Sequence, residues 1–194
     1  MSRLLQTLLI LATLGTSWLG MVVVHEAGHV LLAWLSGGTV TKVILGPLVI
    51  SRTDVDPNPH PLWEIWGGPV GGCLIPLSIW SIARWRRASW SYLAAFFAGF
   101  CWIANGCYLA IGSFDRVGDA GDLLKHGAPA WQLIFFGVVA IVPGFWLWHG
   151  LGPHFGLGSA RGTVNESHAI ALSLLFVLLV LVESLFFGET GVIF

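Results

Sequence analysis

Long apolar stretches alternate with short polar connections along the chain. A helix needs roughly 20 predominantly apolar residues to cross the hydrocarbon core of a bilayer. Five stretches meet this length, over residues 4–35, 62–83, 89–111, 131–148 and 169–187. The pattern therefore predicts an all-α polytopic membrane protein with about five transmembrane helices.

The connection after the first span has a different pattern, typical of strands. β-Branched residues recur over residues 39–44, a Gly46-Pro47 turn follows, and a second apolar run covers residues 48–53 before a polar, proline-rich stop. These features predict a small β-hairpin. We expect its free edge to be able to pair with an extended peptide by strand addition.

The composition agrees with a membrane protein. The chain is 56% hydrophobic and 10% charged, against about 25% charged in soluble domains, and its mean hydropathy is +0.81. Nine basic and ten acidic residues leave no excess of positive charge for nucleic-acid binding. We expect one membrane domain over residues 1–194, with partners in or beside the lipid bilayer.

Basic residues are divided almost evenly between the two sides that five spans define. Five lie on one side, namely Arg3, Arg84, Arg86, Arg87 and Arg161, and four on the other, namely Lys42, Arg52, Arg116 and Lys125. The compact triple-arginine loop favours a cytoplasmic amino terminus by the positive-inside rule.

Polar residues inside the predicted spans have several interpretations. A glycine cluster over residues 67–72 predicts either close approach of another helix or a local break. A lone intramembrane Asn105 is expected to hydrogen-bond a neighbouring helix. Glu183 lies near the end of the last span, which favours an interfacial carboxylate.

The first span contains His25-Glu26-Ala27-Gly28-His29, an HExxH motif. A charged side chain at the centre of a membrane helix costs at least about 2.5 kcal/mol, so this cluster needs a local cause. Residues four apart lie on one helix face, where two imidazoles can hold one Zn²⁺. Glu26 would then act as the general base on the attacking water, whose pKa zinc lowers toward about 7.

A catalytic zinc site usually has a third protein ligand. The segment over residues 112–129 supplies three candidate acids, Asp115, Asp119 and Asp122. Asp119 and Asp122 are three apart and would share a face if this segment is helical. The spacing alone does not choose among the three.

Together these motifs resemble the site-2 protease family of intramembrane zinc metalloproteases, over about residues 15–128. The resemblance rests on HEAGH in an apolar span, a hairpin after it, Gly68-Pro69 in the next helix and an aspartate segment after a later one. The family takes an aspartate ligand from a motif often written LDG, and the nearest match here is Gly118-Asp119-Ala120-Gly121. The resemblance thus implies Asp119 as the third ligand and Asn105 as an aid to oxyanion stabilisation.

The sequence also departs from the family pattern. Gly72 stands where the Gly-Pro-x-x-Asn motif has asparagine, Ala120 stands where glycine follows the aspartate, and the Asn-Pro-x-Pro lead-in is missing. The resemblance therefore implies a minimal, divergent member without PDZ or CBS domains. Its metalloprotease-like core would cover about residues 4–128, with additional helices over 130–188.

The resulting hypothesis is an intramembrane zinc metallopeptidase. It would hold one Zn²⁺ through His25, His29 and Asp119 and use Glu26 to hydrolyse a peptide bond in or next to a transmembrane segment of a membrane protein or peptide substrate. The alternative is a non-proteolytic membrane protein with a structural zinc site that binds a client helix or peptide.

Overall fold

Five long helices make up most of the chain, as the apolar pattern predicts. The computed structural model describes residues 2–187 and 191–193. The long helices are α1 (Ser2–Leu35), α2 (Pro61–Trp85), α3 (Ser91–Asp115), α5 (Ala130–Trp148) and α6 (Glu166–Phe186), and a short helix α4 (Gly118–Lys125) connects α3 to α5. Each long helix is long and apolar enough to cross a membrane. The predicted all-α, multi-pass class is confirmed.

The hairpin after α1 is also confirmed, but its second strand was placed too early. Strands β1 (Val40–Ile44) and β2 (Arg52–Val55) pair antiparallel. Because Ile44 pairs with Arg52, residues 45–51 form the loop between the strands. Leu48 and Ile50, which belong to the predicted strand, lie in this loop and are 96% and 92% exposed.

A third strand covers the edge of β1 that a two-stranded hairpin would leave open. β3 (Val192–Ile193) pairs antiparallel with β1, so the strand order is β2-β1-β3. The backbone N–H of Leu45 also donates to the carbonyl of Phe187 at 2.9 Å. The expected free edge for strand addition is therefore not available at β1.

Helices α1 and α2 approach each other through glycines. A Cβ built on Gly28 would collide with the carbonyl oxygen of Gly67 and lie 3.1 Å from the Cα of Gly71. The α2 helix continues without interruption through Pro69. Of the two interpretations of the glycine cluster, close helix approach is the correct one.

The prediction of an interfacial carboxylate at Glu183 is wrong. Its side chain is only 2% exposed, and neither carboxylate oxygen has a hydrogen-bond partner among the described residues. The prediction used only the distance of Glu183 from the end of the span, which does not show what packs against this part of α6. The end of α6 lies against α1 and the sheet, where Phe187 packs on the cluster formed by Val40, Val43 and Leu45.

Candidate metal centre

His25 and His29 occupy successive turns of α1 and turn their imidazoles to the same side. Both are buried, with 8% and 5% exposure. Their Nε2 atoms lie 3.2 Å apart, and their ring centroids 4.9 Å apart. The i, i+4 spacing of the motif therefore produces two converging nitrogen atoms.

Asp119 completes the cluster from α4. Its Oδ2 lies 2.9 Å from Nε2 of His25 and 3.3 Å from Nε2 of His29. The turn before it is held by Tyr108, whose hydroxyl oxygen accepts the backbone N–H of Asp119 at 3.0 Å. Gly118 has a φ of +53°, and a Cβ there would collide with this hydroxyl, so glycine is needed for the close approach.

The charge on Asp119 is stabilised where it lies. Burial acts to raise the pKa of this carboxyl, but hydrogen bonds with His25 and His29 and their charges outweigh burial and hold its pKa well below the ordinary value. The Asp119 carboxyl is therefore anionic at neutral pH.

The other nitrogen of each histidine is engaged by a second helix. Nδ1 of His25 lies 2.6 Å from Oδ1 of Asn105 on α3, and Nδ1 of His29 lies 3.0 Å from the backbone carbonyl of Glu64 on α2. The Asn105 amide is oriented by its Nδ2, which donates to the carbonyl of Cys101 at 2.8 Å. Because amide and backbone carbonyl oxygens only accept hydrogen bonds, each Nδ1 donates.

This arrangement directs three acceptor atoms at one another. When both imidazoles are neutral, with the single proton of each ring on Nδ1, both Nε2 atoms present lone pairs to each other and to the Asp119 carboxylate. A cation removes the resulting repulsion, and outer-shell acceptors of this kind are the usual partners of metal-bound histidines. The cluster of His25, His29 and Asp119 could hold a metal ion.

The spacing of the three atoms fits zinc. Tetrahedral ligands at 2.0 to 2.1 Å from zinc lie about 3.3 Å from one another, and the observed separations are 2.9, 3.2 and 3.3 Å. The backbone of α2 closes one side of the cluster. A Cβ on Gly68 would collide with Nε2 of His29 and lie 2.7 Å from Nε2 of His25.

Glu26 lies beside the cluster but is not part of it. Its side chain is 5% exposed, and its Oε2 accepts the hydroxyl proton of Thr53 on β2 at 2.8 Å. The hairpin therefore fixes the orientation of this carboxylate.

A cleft of about 630 Å³ opens beside these residues. It lies between α1, α3 and the loop of residues 45–51. His25, Glu26, Asn105 and Tyr108 supply polar groups, and most of the remaining wall is apolar, including Trp18, Val22, Ile50 and Ile111. The cleft therefore combines a mainly apolar wall with a few polar groups.

The other two candidate acids lie apart from the three-atom cluster. Asp115 ends α3 and lines the cleft, whereas Asp122 lines a polar recess with Glu64 and His126. Both are exposed. Although Asp119 and Asp122 belong to one helix, only Asp119 reaches the histidines.

Sequence reasoning did not identify two residues that shape the site. Glu64 approaches His29 through its carboxylate as well, with Oε1 3.0 Å from Nδ1, and Thr53 orients Glu26. The only sequence signal was an acid in the first turn of an otherwise apolar span at Glu64.

Comparisons with protein-family models, curated proteins and solved structures found no match.

Proposed function

We propose that the protein is an intramembrane zinc metallopeptidase that resembles the site-2 protease family. It would hydrolyse a peptide bond within or next to a transmembrane segment of a membrane protein substrate. The observation that supports this most directly is the convergence of His25, His29 and Asp119 within 3.3 Å, with the Glu26 carboxylate beside them.

His25, His29 and Asp119 would hold the ion, and one coordination position would remain for water. When bound, zinc lowers the pKa of water and polarises a carbonyl group. Asn105 and Glu64 maintain the orientation of the two imidazoles through their Nδ1 atoms.

Glu26 is the proposed general base. It follows His25 directly on α1 and borders the same cleft. The Thr53 hydroxyl holds one carboxylate oxygen and leaves the other available to accept a proton from water. Glu26 would then return this proton to the departing amine, as general acid–base catalysis requires.

The cleft supplies the path for the substrate. Its apolar walls on α1 and α3 match the side chains of a transmembrane segment, and the buried polar groups would meet a peptide backbone that has unwound from its helix. Ile50 belongs to this apolar wall, and both Ile50 and its loop neighbour Leu48 are almost fully exposed. We infer that the client enters between this loop and α3.

The alternative function, a structural zinc site with peptide binding, has less support. Its simplest form used a free hairpin edge, and β3 already occupies one of the two edges, that of β1. A structural zinc site also usually has four protein ligands, whereas three residues converge in the described chain.

The Glu26→Gln variant tests the proposed reaction. The amide keeps the size of the side chain but cannot take a proton, so zinc content should remain at one ion per chain while proteolysis falls at least about 100-fold. New protein amino termini in membranes of cells that express wild type or variant would report cleavage. Zinc analysis of the purified proteins would report the metal.

Glu166→Gln is the matched control, since Glu166 begins α6 at the other end of the molecule. It should leave zinc content and cleavage unchanged. Equal cleavage by wild type and Glu26→Gln would refute the role of Glu26, and wild-type protein that binds no zinc would refute the metal centre. If the cluster is metal-free and a proton bridges His25 and Asp119 instead, the wild-type protein should bind no zinc.

A further inference from the structure

A second pocket, of about 340 Å³, lies at the end of the molecule opposite to the metal centre. It is bordered by the end of α2, the start of α3, the end of α5 and the linker that follows α5. Its polar lining consists of Arg84, Ser89, Ser91, Tyr92, His149 and His154. The proposed peptidase function uses none of these residues.

The lining has one cationic side chain, Arg84, and no acid. Arg84 is exposed and makes no ion pair with the described residues, whose ion pairs lie in the metal centre and between Arg52 and Asp54. Two imidazoles, from His149 and His154, share the pocket with its guanidinium. A pocket of this kind selects an anion, because nothing in it compensates the positive charge.

The surroundings strengthen this preference. The same end of the molecule carries five arginines, Arg3, Arg84, Arg86, Arg87 and Arg161, against one acid, Glu166, which gives 5 − 1 = +4. Among the described residues, the metal-centre end carries four basic residues against eight acids, which gives 4 − 8 = −4. The positive field is thus confined to the end that holds the second pocket.

Aromatic contacts hold one imidazole of the pocket in place. The ring of His154 stacks on Tyr92, with centroids 4.6 Å apart and planes 12° apart. The Tyr92 hydroxyl is in turn engaged by Nδ1 of His168 at 3.1 Å. His154 therefore presents a fixed ring edge to the pocket, while the Ser91 hydroxyl adds a hydrogen-bond donor.

Two tryptophans indicate the depth at which the pocket lies. Trp80 and Trp146 line it together with Arg84 and the two histidines, and Trp146 is 68% exposed. Indole rings prefer the headgroup level of a bilayer. A pocket at this depth meets lipid phosphates directly, and planar guanidinium groups bind phosphate oxygens in pairs.

We propose that this pocket is a binding site for an anionic phosphate group, held by Arg84 and His154. Phosphate at this depth can come from an anionic phospholipid headgroup or from free phosphate in solution. The site is independent of the metal centre, so neither proposal requires the other.

The experiment measures binding to the purified full-length chain in detergent. Phosphatidylglycerol is titrated as the anionic lipid, phosphatidylcholine as the zwitterionic lipid, and inorganic phosphate as the free anion, with native mass spectrometry or calorimetry as the readout. Arg84→Gln and His154→Gln should each weaken binding of the preferred ligand at least about tenfold, because each removes a charged or fixed donor. Zinc content should stay that of wild type.

Arg86→Gln is the matched control, with the same change in charge two residues away and outside the pocket lining. It should change binding less than twofold. A preference for phosphatidylglycerol that depends on Arg84 supports a lipid source, and binding of inorganic phosphate that depends on Arg84 supports a soluble source. Equal losses in Arg84→Gln and Arg86→Gln, or no binding of either anion, would overturn the proposal.

Discussion

Each histidine of the candidate metal centre has a contact at both ring nitrogens, and the partners of the two Nδ1 atoms come from two different helices. Asn105 fixes His25 from α3, and Glu64 fixes His29 from α2. Asn105 also lies against Gly72, where a Cβ would be 2.6 Å from its Nδ2. The glycine that departs from the family pattern therefore leaves the space in which the Asn105 amide lies.

Replacement of Asn105 by alanine distinguishes two roles for this residue. If Asn105 orients His25, as the 2.6 Å contact indicates, Asn105→Ala should lower zinc affinity by about 10- to 100-fold. If it only stabilises an oxyanion, as the family resemblance implies, zinc affinity should not change and only cleavage should fall. Competition with a zinc chelator measures the affinity.

Gln6→Ala is the matched control for this experiment. Gln6 is also a buried amide with hydrogen bonds to backbone carbonyls, at Phe155 and Gly156, but it lies at the other end of α1. Its loss should leave zinc affinity unchanged. An Asn105→Ala variant with wild-type zinc affinity would contradict the positioning role.

Residue spacing predicted the groups that lie close together in the chain, whereas Asp119, which meets the histidines only in the folded chain, was singled out by the family resemblance alone. His25, Glu26 and His29 stand on one helix at fixed spacing, so their common face follows from helix geometry. The spacing of Asp115, Asp119 and Asp122 left the choice among them open. The sequence did not connect Glu64 or Thr53 to the site, because their partners lie 35 and 27 residues away.

The glycines of α2 allow a helix backbone to pack directly against the metal centre. Gly67 and Gly71 meet Gly28 across the helix interface, and Gly68 lies against the two Nε2 atoms. These contacts make α2 both a packing partner of α1 and one wall of the site. Small residues have the same function in other membrane helix interfaces.

A methyl group at Gly68 should therefore separate metal binding from folding. In Gly68→Ala the Cβ would displace the imidazole of His29, so zinc affinity should fall at least about tenfold, whereas helical content by circular dichroism should be retained. Leu74→Ala, an exposed position on the same helix, should leave both unchanged. Wild-type zinc affinity in Gly68→Ala would show that the Gly68 backbone does not limit the site.

The elements followed the sequence pattern to different degrees. The five spans were predicted because long apolar runs leave few alternatives to membrane helices. The hairpin was predicted, but its second strand was placed over the apolar residues of the loop. The alternation of residue types along the sequence does not show that Leu48 and Ile50 are exposed in a loop. The β3 strand has only two residues, and its pairing depends on the position where α6 ends.

At the scale of the whole molecule, the two ends differ in chemistry. The metal centre, the sheet and eight of the described acids lie at one end, and the triple-arginine loop lies at the other with the second pocket. Since α1 runs from Arg3 to the hairpin, the orientation of this one helix fixes the side of the membrane on which each end lies.

The orientation predicted from the basic residues places the amino terminus and the loop of Arg84, Arg86 and Arg87 in the cytoplasm. Arginines close to span ends are retained on that side during insertion, and the three in this short loop act together with Arg3 before the first span. The hairpin and the cleft would then face the opposite side.

A membrane-impermeant maleimide on intact cells should label Arg52→Cys but label Arg86→Cys only after permeabilisation.

Both positions are exposed, so accessibility to the reagent depends on the side of the membrane. The unsubstituted chain controls for the native Cys73, Cys101 and Cys107, all of which lie within α2 or α3. The reverse labelling pattern would show that the amino terminus is outside. In that case the cleft would open toward the cytoplasm, and its clients would have to present their cleavable segment near that face of the membrane.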